Sequence, residues 1–183
     1  MSSMGERDHH LALGDAELLA RCEVHTHRSS GPGGQHRNKV SSAVRLVHQP
    51  TGIAATATES RSQHENRRRA LRRLRMHLAC QVREPVDPLR PEIPPVVSGC
   101  LSAPRRPGAA GRGRLTIGRK DARFWQVAAF LLDLLDAAGG RLAPAARGLG
   151  ITTSNLASVL RADRHLLAAA QGVRKRHGLG AIR

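Results

Sequence analysis

The sequence predicts an α+β protein: a small three-stranded sheet packed by one long Arg-rich helix, then a Pro/Gly linker and a small all-α, helix-turn-helix-like C-terminal part. Three observations predict it. Short runs with period-two or β-branched character recur before residue 60, a helical stripe crowded with arginine follows Ser62, and residues 83–114 hold seven of the ten prolines ahead of Leu- and Ala-rich helical periodicity. The expected boundaries are a flexible N-terminus at 1–13, the sheet-and-helix domain at 14–82, the linker at 83–114 and a helical domain at 115–183.

Taken in order, residues 1–13 are polar and expected to fray. Asp15 can cap a short helix through Leu18, Leu19 and Ala20, after which Cys22–His27 alternates as a half-buried strand does. The run Arg28–Val40, RSSGPGGQHRNKV, is a Gly-rich loop. Ala43–His48 is a second strand, Gln49-Pro50-Thr51-Gly52 a turn, and residues 53–58 a third strand, so that the last two pair as a hairpin. A hairpin needs another layer. Ser62 with Glu65 three residues on has the pattern of a capping box, and Leu71, Leu74, Leu78 and Val82 at helical spacing supply the covering face. That helix also carries Arg67, Arg68, Arg69, Arg72, Arg73 and Arg75, which repel one another unless anions neutralise them, so phosphate is the expected ligand and a merely solvated face the alternative.

Beyond the linker, Phe124, Val127, Ala128, Leu131, Leu134, Leu135 and Ala138 mark a helix ended by Gly139-Gly140. Residues 142–160 then read as helix, glycine turn, helix. Thr152, Thr153, Ser154 and Asn155 stand where a DNA-binding helix-turn-helix presents polar groups, and a compact three-helix bundle with no nucleic-acid role fits the pattern equally well. A last helix through Leu166 and Leu167 ends in the basic run Arg174-Lys175-Arg176-His177, which could touch RNA.

Composition narrows the function classes. Lys and Arg number 30 against 14 acids, a formal +16, which draws the chain to polyphosphate through counterion release; a basic surface with no specific target is the bland alternative. Cys22, Cys80 and Cys100 are far apart and lack ligand-like spacing, as do the histidines, so reduced thiols, no metal and no cofactor are expected. With no apolar signal core and no run near the roughly 18 apolar residues of a membrane span, a cytoplasmic monomer without a membrane partner is expected.

The Gly-rich loop carries the chemistry. Gly33 and Gly34 after a proline permit close approach to a surface, and Gln35 projects next. A glutamine is a poor acid or base, but its amide can orient a water and bond a leaving oxygen, so a partner must supply the rest of the site. RSSGPGGQHRNKVSSAVRL, followed by HQPTGI and then ESRSQHENRRRAL, resembles the Gly-Gly-Gln catalytic domain of peptide-chain release factors, including ribosome-rescue hydrolases without decoding domains; the resemblance covers residues 14–82.

That resemblance implies hydrolysis of the peptidyl-tRNA ester in the ribosomal peptidyl-transferase centre, with the loop docked in large-subunit rRNA. It implies that Gln35 coordinates the attacking water and the departing ribose hydroxyl, while Gly33 and Gly34 permit the loop. Arg28, Ser29, Ser30, His36, Asn38 and Lys39 would hold the loop and contact rRNA, although Ser29, Ser30 and Asn38 fit turn and cap roles equally well. Arg61, Gln63, His64 and Arg67 would brace it or bind phosphate beside Arg68, Arg69 and Arg72. Arg37 departs from the apolar residue frequent in the family and adds charge to the docking face. Nothing upstream of residue 14 suits codon-reading domains, so a codon-independent rescue factor is expected; the alternative is a non-catalytic ribosome- or nucleic-acid-binding protein with a helix-turn-helix-like end. Rescue-type members sense an empty mRNA channel with a basic tail, where this sequence places a helical domain.

Overall fold

The computed structural model describes residues 5–27, 42–103 and 112–182. The chain divides into two compact units, His9–Leu78 and a second made of Met1–Asp8 with Ala79–Arg183. Among the described residues no helix is long and apolar enough to cross a membrane.

In the first unit, α2 (Asp15–Ala20) leads into β1 (Cys22–His27), β2 (Ala43–His48) and β3 (Ala54–Ala57), an antiparallel sheet in the order β1-β2-β3. The β2–β3 hairpin closes on the expected turn: His48 donates its N–H to Ile53, and Gly52 takes φ 68°, a left-handed value that favours glycine. α3 (Gln63–Gln81) covers the sheet. The Ser62 hydroxyl accepts the Glu65 N–H at 3.3 Å, and Ala70, Leu71, Leu74 and Leu78 are buried with Val44, Leu46, Ala55 and Ala57.

Three expectations for this part of the chain need correction. Asp15 opens α2 rather than capping it; Gly14 is the cap residue and its N–H is taken by Glu17 Oε2 at 3.0 Å. β1 is a strand but not half-buried, since Glu23 to His27 are all exposed and Val24 keeps 40% of its surface. The covering helix is fastened along β3, where His77 Nδ1 meets the Ala54 carbonyl at 2.9 Å, and β1 is the edge strand on the other side of β2. Residues 6–12, expected to fray, instead form α1 (Glu6–Ala12), a helix in which Arg7, His10 and Leu11 are buried.

The second unit has a larger core. α5 (Phe124–Ala137) is buried along most of its length, and α6 (Leu142–Gly148), α7 (Thr153–Leu160) and α8 (Arg164–Arg176) pack around it through Ala145, Ala146, Leu156, Leu160, Leu166, Ala170 and Val173. Thr152 caps α7 and Asp163 caps α8. Residues 83–103, expected to be linker, are part of this unit. They form α4 (Pro95–Ser98) and β4 (Leu101–Ser102), which pairs with β5 (Arg114–Leu115), and they bury Val97 and Cys100 in the same core as Phe124 and Val127. Proline fixes φ without preventing packing, and Pro95 at the first turn favours a helix start. The apolar residues between the prolines, Val86, Ile93, Val96 and Val97, therefore find a surface.

One charged cluster lies inside this unit. Arg7 is 1% exposed, and its guanidinium meets Asp133 at 2.6 Å, Asp8 at 2.6 Å and Glu84 at 3.3 Å, while Arg83 reaches Asp133 at 2.9 Å. Burial pushes the Asp133 carboxyl up to about 6 against the pull of Arg7 and Arg83. Burial likewise opposes the Arg7 charge, but Asp133 and Asp8 offset it and hold that pKa above its ordinary value.

Candidate functional site

Gly33, Gly34 and Gln35, together with Arg28, Ser29, Ser30, His36, Arg37, Asn38 and Lys39, lie outside the described residues. The structure describes the frame that carries them. The strand before the segment ends at His27 and the strand after it begins at Ala43, and these two residues pair directly across the ladder. Opposed residues in an antiparallel pair have Cα atoms about 4.5 to 5.5 Å apart, so the segment leaves and returns at one point on the sheet.

A buried asparagine fixes the return point. Asn66, on the first turn of α3, is fully buried; its Nδ2 donates to the Ser42 carbonyl at 2.7 Å and to the Ser60 carbonyl at 2.8 Å, and its Oδ1 accepts the Ser60 N–H at 2.9 Å. One amide thus ties the residue next to the loop, the β3–α3 connection and the helix together. The sequence reading passed over Asn66, although a signal was present: Asn66, Ala70, Leu74 and Leu78 fall at four-residue spacing, so a polar residue sits on the buried stripe. Asn66→Ala removes three hydrogen bonds and leaves buried carbonyls unpaired; we expect urea unfolding to show a loss of about 2 to 3 kcal/mol.

The arginines of α3 divide into two sets. Arg73 donates to the Thr56 carbonyl and to Glu59, and Arg75 donates to Asp15 at 2.7 Å and to the Leu13 carbonyl at 2.8 Å, so both fasten the helix to neighbouring elements. Arg68, Arg69 and Arg72 instead share one carboxylate, Glu65, at 3.8, 3.0 and 3.9 Å, with side chains 58%, 38% and 61% exposed. The hydrogen bond from Arg69 is the main cause holding the Glu65 carboxyl below its ordinary pKa. Three cations on one anion leave a surplus of positive charge on this face. Arg67 is half-buried, and its Nε is shielded from solvent without a hydrogen-bond partner. Arg61, Gln63 and His64 are exposed around the N-terminus of α3. Arginines clustered at a helix start, beside the frame of a Gly-rich loop, suit a phosphate backbone.

Residues 19–88 match the RF-1 domain family. This segment carries the RF-1 domain and is similar to peptide chain release factors. Peptide chain release factor 1 of Caulobacter vibrioides is 41% identical over 116 residues, 62% of this chain and 32% of that protein. Peptide chain release factor 1 of Caldicellulosiruptor bescii is 57% identical over 56 residues, and peptide chain release factor 2 of Paramagnetospirillum magneticum 54% identical over 59 residues. The chain spans 16 to 32% of the length of these three relatives.

The helix-turn-helix-like part of the second unit is built differently from a base reader. The α6–α7 turn passes through Gly150 at φ 65°. Thr152 spends its hydroxyl on the Asn155 N–H, and Asn155 clamps β5, its Oδ1 accepting the Leu115 N–H at 2.8 Å and its Nδ2 donating to the Leu115 carbonyl at 3.0 Å. Two of the four polar residues singled out in sequence thus serve the fold. The basic run at the end of α8 is also largely engaged. Arg174 holds the Gly140 and Gly180 carbonyls, and Arg176 and His177 meet Asp136, which leaves Lys175 exposed.

Proposed function

We propose that the chain is a ribosome-dependent peptidyl-tRNA hydrolase that acts without reading a codon. The observation that carries this reading is the Gly33-Gly34-Gln35 sequence, intact within a release-factor segment. Gln35 positions a water against the ester carbonyl and bonds the departing ribose oxygen, while Gly33 and Gly34 let the backbone enter a crevice of large-subunit rRNA. The glutamine amide neither takes up nor releases a proton at neutral pH, so the peptidyl-transferase centre completes the site. The partners are the ribosome and peptidyl-tRNA, and the protein works as a cytoplasmic monomer.

Arg28, Ser29, Ser30, His36, Arg37, Asn38 and Lys39 hold the loop against rRNA, and Arg61, Gln63, His64, Arg67, Arg68, Arg69 and Arg72 grip the backbone nearby. Replacing Arg68, Arg69 and Arg72 together by Gln is expected to weaken ribosome binding and to lower the slope of log affinity against log salt by about 2 to 3, one unit or slightly less per lost phosphate contact. Codon independence is supported by the second unit, where Thr152 and Asn155 are engaged internally and not free to read bases. The test uses ribosomes carrying formyl-methionyl-tRNA with a stop codon, a sense codon or no mRNA beyond the P site. Equal release in all three is expected; release confined to the stop codon would overturn the codon-independent reading.

A further inference from the structure

Residues 79–183 hold 17 of the basic residues against seven acids, so the larger share of the chain's positive excess lies outside the release-factor loop and its helix. Most of the acids are already committed. Asp133 holds Arg7 and Arg83, Asp136 holds Arg176 and His177, Asp121 holds Arg123, and Asp163 meets Arg119. The end of the unit at the α6–α7 turn has no such compensation. There the Gly113 N–H donates to the Gly150 carbonyl at 2.9 Å, and Gly113 bridges to Ile151, which seats the start of β5 beside the turn. The approach is close: a Cβ at Gly113 would stand 2.7 Å from the Ser102 carbonyl.

Arg112 and Arg114 flank Gly113 two residues apart on extended backbone, both exposed, while Leu115 turns inward at 1% exposure. Arg147, also exposed, belongs to the last turn of α6, where its carbonyl accepts the Gly150 N–H at 2.9 Å. The loop bearing exposed Arg90 runs past the same helix end, since a Cβ on Gly148 would lie 3.0 Å from the Pro88 carbonyl and 3.2 Å from Pro91. The acids of that loop are Asp87, which accepts the Leu89 N–H, and exposed Glu92. No ion pair among the described residues involves Arg90, Arg112, Arg114 or Arg147.

We propose that Arg112, Arg114 and Arg147, with Arg90 at the margin, form a docking surface for the phosphate backbone of double-helical RNA. The surface offers charge from arginines, while Asn155 at the start of α7 is taken up by β5 and the Thr152 hydroxyl by the Asn155 N–H. Recognition through backbone and shape suits RNA duplexes, whose deep major groove side chains do not read. The choice of RNA over DNA rests on the ribosomal reading above; the surface itself does not.

The test measures binding of the full chain to a 20-base-pair RNA duplex and to a DNA duplex of the same sequence across a salt series. The variants are Arg112→Glu/Arg114→Glu/Arg147→Glu, the matching triple Lys variant, and Arg161→Glu/Arg164→Glu/Lys175→Glu as an equal charge change elsewhere on the unit. The first is expected to bind RNA at least about tenfold more weakly with a salt slope lower by about 2 to 3, and the other two to stay within about threefold of wild type. No RNA binding by the wild type, equal loss in both Glu variants, or tighter binding to DNA would overturn the proposal. Circular dichroism of each variant separates lost binding from lost fold. Release from ribosomes is recorded in parallel, so a chain that binds RNA through this surface but releases nothing would sink the hydrolase reading alone.

Discussion

Gln35→Ala is expected to lower the rate of peptide release on ribosomes by about 100-fold or more while leaving ribosome affinity within about twofold of wild type. The magnitude follows from what removing a single aligned hydrogen-bonding group costs in comparable sites. The split follows from where the binding energy resides. Gln35 contributes one uncharged amide, whereas in the proposed reading Arg61, Arg67, Arg68, Arg69 and Arg72 supply charge on and beside α3 that counterion release would convert into affinity. Single-turnover release at saturating protein, with binding measured separately by sedimentation, reads the two effects apart. A parallel fall in both would place Gln35 in docking rather than catalysis.

Asp133→Ala is expected to destabilise the second unit by about 3 kcal/mol, lowering its melting temperature by roughly 10 °C or more. The carboxylate stands between Arg7 and Arg83 and also accepts the Glu84 N–H at 3.2 Å, so its loss leaves two guanidinium groups with one counter-charge fewer and an N–H without its acceptor. Replacing Arg7 and Asp133 together by Met and Leu should recover only part of the loss, because it removes the most deeply buried charge but still leaves Arg83 and the Glu84 N–H without their acceptor. The same site gives a pH dependence. Its carboxyl is raised to about 6 in the folded unit, above the ordinary 3.8, so folding favours the protonated form. This contribution is complete below about pH 4 and is lost as pH rises through 6. Thermal melts between pH 4 and 8 should show that decline in wild type and its absence in Asp133→Asn.

The release-factor segment was legible because its signals are local. The β2–β3 turn, the Ser62 cap and the Leu71, Leu74, Leu78 stripe each depend on residues a few positions apart, and all three are present in the structure. What escaped depends on partners distant in sequence. Arg7 reads as part of a polar, frayed end until it meets Asp133, and the prolines of 83–103 outvote the valines between them until α5 supplies a surface for Val97. The arginines of α3 show the same limit within one helix. The run Arg67–Arg75 reads as a uniform phosphate-binding face, yet Arg73 and Arg75 are drawn to Glu59 and Asp15 by contacts that no helical spacing encodes. Asn66 lies between the two cases, visible as a polar residue on an apolar stripe but assignable only once Ser42 and Ser60 are seen against it.

The central claim is that Gln35 positions but does not complete the chemistry, so that hydrolysis needs the ribosome. The most direct measurement follows formyl-methionine liberated from formyl-methionyl-tRNA, once bound in the ribosomal P site and once free in solution, on addition of the wild-type protein. Release from the ribosome-bound tRNA and none above background from the free tRNA is the expected result. No release from ribosomes, or equally fast hydrolysis of the free tRNA, would contradict it.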